Sequence, residues 1–313
     1  MFEFVTPHGL FRIQIHTLRD TLPGVFDGLA TSVHDARIAT RRIRELLPLL
    51  GDPKRRKPIE DLRSRFKRVG GSLGRVRDAD VRVTLLASLE TRMPHAAPAL
   101  VVLRQQREHE RLTLLRKLVK RLERLDAVRL IEMLDDHRLS PAGPVAWALR
   151  AGATWKRDLR DTVQGRAVET AEAIEHATGV YFPHRVHAAR IAIKKMRYAM
   201  EIAHEVGGGD RSAAIRELKK AQDVLGDLHD RQELVDNLVE TCPADKPEIV
   251  SQVSLLKQVI DAETHDLHGR YLARRAAILE ICGAERHPHH RPVRSLVAAG
   301  ALAISSGIYA RRR

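Results

Sequence analysis

The sequence nearly repeats itself. VHDARIATRRIRELLPL at residues 33–49 returns as VHAARIAIKKMRYAMEI at residues 186–202, an offset of 153. RFKRVGGSLGRVRDAD at residues 65–80 returns as ELKKAQDVLGDLHDRQ at residues 217–232, an offset of 152. A weaker third match sets LRQQREHE from Leu103 against LKQVIDAE near Leu256. Three matches in one order at almost constant spacing constrain the architecture more than any single motif, because both halves must then find the same kind of fold.

Apolar residues recur at three- and four-residue intervals over long stretches, and alternating runs bounded by hairpin turns are hardly seen, so the segments predict helices. Breakers at Pro53 and Pro58, Gly70-Gly71, Pro94 and Pro98, Pro141 to Pro144, Gly179 to Pro183, Gly207 to Gly209, and Pro243 and Pro247 leave about eight helical segments, four on each side of SPAGP. The expectation is an all-α chain of two four-helix bundles related by a pseudo-two-fold axis, each closing around its own apolar interior. The halves are 1–140 and 141–285, with a basic and apolar tail at 286–313.

Length and a hydrophobic fraction of 43% suffice for a real core and argue against disorder. Cys242 and Cys282 are too few for a disulfide framework or a zinc cage. The first residues, MFEFVTPHGLFRIQIHTLRD, carry Glu3 and no continuous apolar stretch, so no secretory leader is expected and the cytoplasm is the expected compartment. Val293 to Ala310 is apolar but broken by Arg294, two glycines and three serines, and reads as a tail packed on the protein; stable membrane insertion is not expected.

Charge is where the repeat acquires a chemistry. Lys and Arg number 54 against 40 Asp and Glu, a net +14 that fits a polyanionic partner. His34, Arg37, Arg41 and Arg44 fall at i, i+3, i+7 and i+10, within an arc of about 80° on a helix. Ala36, Ala39, Ile43, Leu46, Leu47 and Leu50 form the opposite, apolar face. The second copy has His187, Arg190, Lys194 and Arg197 opposite Ala189, Ala192, Met196, Ala199 and Met200, while Arg42 and Lys195 widen each stripe. Neither Arg37 to Arg44 nor Arg190 to Arg197 contains an acid, so the like charges repel unless an anion lies along them. Arginine supplies 42 of the 54 cations, and its planar fork matches phosphate oxygens. An imidazole among cations stays mostly neutral until an anion arrives, so His34 and His187 predict binding that tightens toward acidic pH.

VHxxRxxxRRxR followed by LGxxRDxDV, with VHxxRxxxKKxRYxxE in the second half, resembles the CHAD family, the conserved histidine α-helical domain, over about residues 7 to 282. The resemblance implies two pseudo-symmetric four-helix bundles and a basic surface or channel that binds inorganic polyphosphate. Carried over by position, the ligand set is His34, Arg37, Arg41, Arg42 and Arg44 with His187, Arg190, Lys194, Lys195 and Arg197. Lys67 and Arg68, aligned with Lys219 and Lys220, join it from the next helices. The second acidic element departs from the first, with His229 in place of Arg77 and Gln232 in place of Asp80. The triphosphate-tunnel domain to which this family can be fused has no E-x-E-x-K signature here, so a stand-alone protein associated with polyphosphate granules is expected.

Other chemistries find less support. Gly70-Gly71-Ser72-Leu73-Gly74 lacks the G-K-[ST] of a P-loop and sits in a helical context. The histidine pairs His184 and His187, and His265 and His268, lack the matching carboxylates of a metal bundle, and Glu-x-x-His occurs once, at Glu201 and His204. The cluster His287, His289 and His290 reads as a solvated tail. Asp78, Asp80 and Asp230 read as helix-end or ion-pair residues. No metal or other cofactor and no catalytic constellation is expected. The enzyme alternative is a polyphosphatase holding Mg²⁺ on Asp78 and Asp80. Nucleic acid is the weaker alternative partner, since only 12 residues are aromatic and stacking platforms are lacking.

Overall fold

The computed structural model describes residues 6–50, 56–135, 154–177, 181–207, 209–241 and 247–286. Among these are nine α-helices and no strand: α1 (Pro7–Phe26), α2 (Ala30–Leu46), α3 (Arg56–Arg92), α4 (Ala97–Arg124), α5 (Ala127–Asp135), α6 (Trp155–His176), α7 (Pro183–Glu205), α8 (Ser212–Thr241) and α9 (Pro247–Arg286). The all-α class is therefore observed. Cys242, the SPAGP boundary, His287 to His290 and the Val293 to Ala310 tail lie outside the described residues.

Local chemistry sets several helix starts. The Thr6 hydroxyl accepts from the Gly9 amide at 3.1 Å ahead of Pro7, and Pro183 and Pro247 open α7 and α9, where a missing N–H costs nothing. Helices end where glycine takes up positive φ, as at Gly28 (74°) and Gly207 (80°). One expected break does not occur. α3 runs unbroken for 37 residues through Gly70, Gly71 and Gly74. One of these glycines serves close packing of α2 on α3: a Cβ at Gly70 would come within 3.3 Å of the Thr40 hydroxyl, whereas at Gly74 it would only touch the Arg37 side chain.

The packing order repeats as the sequence does. α1 packs on α2, α2 on α3 and α3 on α4; then α6 packs on α7, α7 on α8 and α8 on α9. This order is compatible with a duplicated four-helix unit. The last helix differs between the copies. α9 is a single helix of 40 residues that reaches both α8 and α6. In the first half the corresponding span is broken at Asp126, a non-glycine residue at φ 45°, and the short α5 rather than α4 closes against α1.

The apolar interiors of the two halves run into one another. One buried cluster passes from Phe11, Ile15 and Ile43 through Leu73 to Ile193, Met196, Leu225 and Tyr271 without a break between halves. A second draws Leu86, Leu89 and Leu100 together with Leu234, Leu256 and Ile260. The reason is that α2 lies against α7, α3 against α8 and α4 against α9, so apolar positions beside each seam are shared. Polar contacts cross the same seams, with Arg82 donating to Glu233 at 3.1 Å and the Ala99 amide donating to Gln252 at 3.2 Å.

Candidate anion-binding site

The apolar faces expected for α2 and α7 are fully used: Ala36, Ala39, Ile43, Ala189, Met196 and Met200 are buried. That burial fixes the opposite faces, and where α2 meets α7 the two stripes converge. Arg41 of α2 donates from Nη1 to the hydroxyl of Tyr198 on α7, and its guanidinium sits 4.7 Å from the ring centroid. Arg197 lies 4.4 Å from the same ring. A buried tyrosine ring thus holds a cation from each half, each such contact worth about 0.5–2 kcal/mol. Sequence reasoning missed Tyr198. Its one signal is an aromatic residue beside a basic stripe in a chain with very few aromatics.

Lys194 is where the convergence is most costly. Burial, then the charges of Arg41, Arg190 and Arg37, push its ammonium down to about 7, with Asp78 opposing. Arg41 is likewise lowered, chiefly by burial and with Arg37 adding to it. Burial, then Arg77, Arg37 and Arg41, holds His34 below the usual histidine value against the opposing pull of Asp35. Burial, Arg190 and Lys194 do the same to His187, against Glu233. The His34 Nδ1 and Arg190 Nε atoms are buried without a hydrogen-bond partner. Arg190 Nε can only donate, so it is left for an acceptor that the fold does not itself supply.

Acids reach the stripes from elsewhere, which the absence of acids within each stripe did not suggest. Arg37 lies 3.7 Å from Asp78 of α3, Arg42 pairs with Glu205 of α7, and Arg197 pairs with Glu201 one turn on. Arg197 also donates to Gln222 at 3.0 Å. Arg42 and Arg197 are therefore partly committed to holding helices together. Burial lowers Arg44, where Arg63 of α3 repels it, and Lys195 is half-buried. Lys67, Arg68 and Lys219 are exposed, and Lys220 turns to Glu217 at 3.6 Å. The centre of the site is thus His34, Arg37, Arg41, His187, Arg190 and Lys194.

The two acidic elements take different parts. Asp78 faces α2 through Arg37, while Asp80, two residues on, is buried and pairs with Arg111 of α4. Arg111 also donates to the Gly28 carbonyl at 2.6 Å, so the first half is clasped at this point. In the second half, burial and neighbouring carboxylates raise Asp230 to about 6 despite Arg190. The His229 ring stands 4.9 Å from that of His187, and both imidazoles are lowered by burial and by Arg190. Gln232, aligned with Asp80, accepts from the Tyr181 hydroxyl at 3.0 Å. A cleft of about 300 Å³ opens there, bounded by Tyr181, His184, His187, His229 and Gln232.

These motifs and this fold have counterparts. The CHAD domain family matches residues 9–238. The chain belongs to the CHAD family. Its fold is similar to that of PptA from Streptomyces chartreusis, with 18% identity, a TM-score of 0.64 and coverage of 86% of this chain and 97% of that one. It is also similar to the CHAD domain from the plant Ricinus communis, at 22% identity and a TM-score of 0.58, covering 90% of each chain. No curated protein matches the sequence significantly. Among the described residues no group of histidine, cysteine and carboxylate side chains is placed to hold a metal ion, and no helix is long and apolar enough to cross a membrane.

Proposed function

We propose that this CHAD protein binds inorganic polyphosphate, without catalysis, across the seam between α2 and α7. The observation that carries the reading is that cations of both halves converge, Arg41 of α2 and Arg197 of α7 lying on the one ring of Tyr198; burial, then Arg41, Arg190 and Arg37, lowers Lys194 in the same place. Folding against that repulsion is sustained by the shared core, and a polyanion lying on the seam relieves it. A phosphate chain offers a charge at every unit, can meet both stripes at once, and needs no base-stacking surface. The Mg²⁺ polyphosphatase alternative loses its ligand pair, since Asp78 and Asp80 face different helices and Asp80 is taken by Arg111.

The test is competition binding of polyphosphates of graded length against DNA and RNA at two salt concentrations. Affinity should rise with chain length until both stripes are covered, and should fall steeply with salt. Nucleic acid binding as tightly at physiological salt overturns the choice of ligand. Mg²⁺-dependent phosphate release that is lost in Asp78→Asn restores the enzyme reading. On the proposed function a tagged protein partitions with polyphosphate granules in the cytoplasm.

A further inference from the structure

The cleft of the second half adjoins the cationic cluster but has a different chemistry. Its floor is apolar, formed by Val186, Leu225 and Leu228. His187 belongs to the cleft and to the cluster at once, and His229 stands beside it. The far rim carries Tyr181, Gln232, Glu233 and Asp236. Glu233 lies 3.6 Å from His229, and Asp236 accepts from Gln232 at 3.1 Å. A phosphate chain leaving the cluster toward this rim would meet no new cation but the carboxylate of Asp236 and that of Glu233, which Arg82 already pairs, so the rim gives a phosphate chain nothing to hold. The cleft suits instead an uncharged, flat, hydrogen-bonding group attached to the end of a phosphate chain.

We infer that the cleft receives the nucleoside of a nucleoside polyphosphate whose phosphates lie on Arg190, Lys194 and the first-half cations. This rests on the proposed anion site and names a second ligand class for it. At about 300 Å³ the cleft stands at the lower end of ligand-sized pockets. Tyr181, His187 and His229 line the cleft with ring systems, and bases stack on rings of this kind whatever their identity. Asp236, which takes one hydrogen bond from Gln232, has acceptor capacity left for an exocyclic amine or ribose hydroxyls, groups that inorganic polyphosphate lacks, while Glu233 is engaged by Arg82 and His229. The aligned place in the first half cannot do this, because Arg111 ties Asp80 to the Gly28 carbonyl there. The inference therefore predicts one nucleoside site per chain rather than two.

Calorimetric titration of the full chain, free of divalent ions, compares adenosine triphosphate with inorganic tripolyphosphate. The nucleotide should bind about tenfold more tightly, the gain expected of one stacked base. Tyr181→Ala should remove that gain and leave tripolyphosphate affinity unchanged. Should the variant fold poorly, the wild-type Tyr181 ring resonances give the second measurement, shifting with the nucleotide and staying still with tripolyphosphate. Equal affinities for the two ligands, with polyphosphate still bound, overturn the nucleoside site alone. Loss of long-chain polyphosphate binding as well overturns the anion site with it.

Discussion

The first half is clasped where the second is open. At one alignment position the first half has Asp80 and the second Gln232, and the packing around the two differs accordingly. A buried carboxylate must be paired, and Arg111 reaches across from α4 to pair it while capturing the Gly28 carbonyl. A neutral amide makes no such demand. Gln232 accepts from the Tyr181 hydroxyl and donates to Asp236, and among the described residues no arginine lines the cleft beside it. The last helix follows the same division, broken at Asp126 in the first half and continuous in α9. One change from acid to amide separates a structural corner from a corner with room for a ligand.

The sharpest way to break this comparison is Arg111→Met. It leaves Asp80, 6% exposed, without a counter-charge, and should cost about 3–5 kcal/mol of stability, read as a denaturant midpoint. Asp80→Asn in the same chain should recover much of that loss. A loss below about 1 kcal/mol in Arg111→Met would mean that the clasp is not what distinguishes the halves.

Next in size are the stripes. Arg37→Gln and Arg190→Gln should each weaken polyphosphate binding about tenfold and reduce the salt slope by about one. Their losses should add to about a hundredfold in the double variant if one ligand spans the seam, with helical content unchanged by circular dichroism. A large loss from one variant and none from the other would confine the ligand to a single half.

Protonation gives a third handle. Lys194 at about 7 is partly uncharged at neutral pH, and Asp230 at about 6 is mostly ionised there. Raising the pH from 6 to 8 therefore removes positive charge from Lys194 and completes negative charge on Asp230. His34 and His187, held low, lose any remaining proton in the same direction. A polyanion favours every protonated form, so affinity should drop several-fold between pH 6 and pH 8. Lys194→Arg should flatten the upper part of that profile. Equal affinities at the two pH values in the wild type would refute the linkage.

The smallest effect expected is in the second corner. Gln232→Ala removes the hydrogen bond from the Tyr181 hydroxyl and an exposed one to the Asp236 carboxylate, and should cost only about 1–2 kcal/mol, measured as for Arg111→Met. A cost equal to that of Arg111→Met would erase the difference between the halves.

Periodicity made the helical class legible, and the near-constant offset made the duplication legible, because side-chain spacing along a helix is local information. The stripes were legible for the same reason: residues at i, i+3 and i+7 share a face wherever the helix lies. Glycine was misread at Gly70 and Gly71, since the helix runs through both; at Gly70 the close approach of α2 leaves little room for a side chain, while at Gly71 the space is open. The Arg42–Glu205 and Arg41–Tyr198 contacts were not legible at all. They join residues 163 and 157 positions apart, and no local pattern states which surfaces of two halves will meet.

By itself the sequence determined an all-α chain with two basic stripes, since helix propensity and facial segregation act within a few turns. Only the tertiary structure decided that the stripes meet over Tyr198, that Lys194 is caught among cations of both halves, and that one acidic corner is clasped while its counterpart stays open. Those outcomes depend on burial and on charges brought together across the seam, and both arise only when distant helices pack.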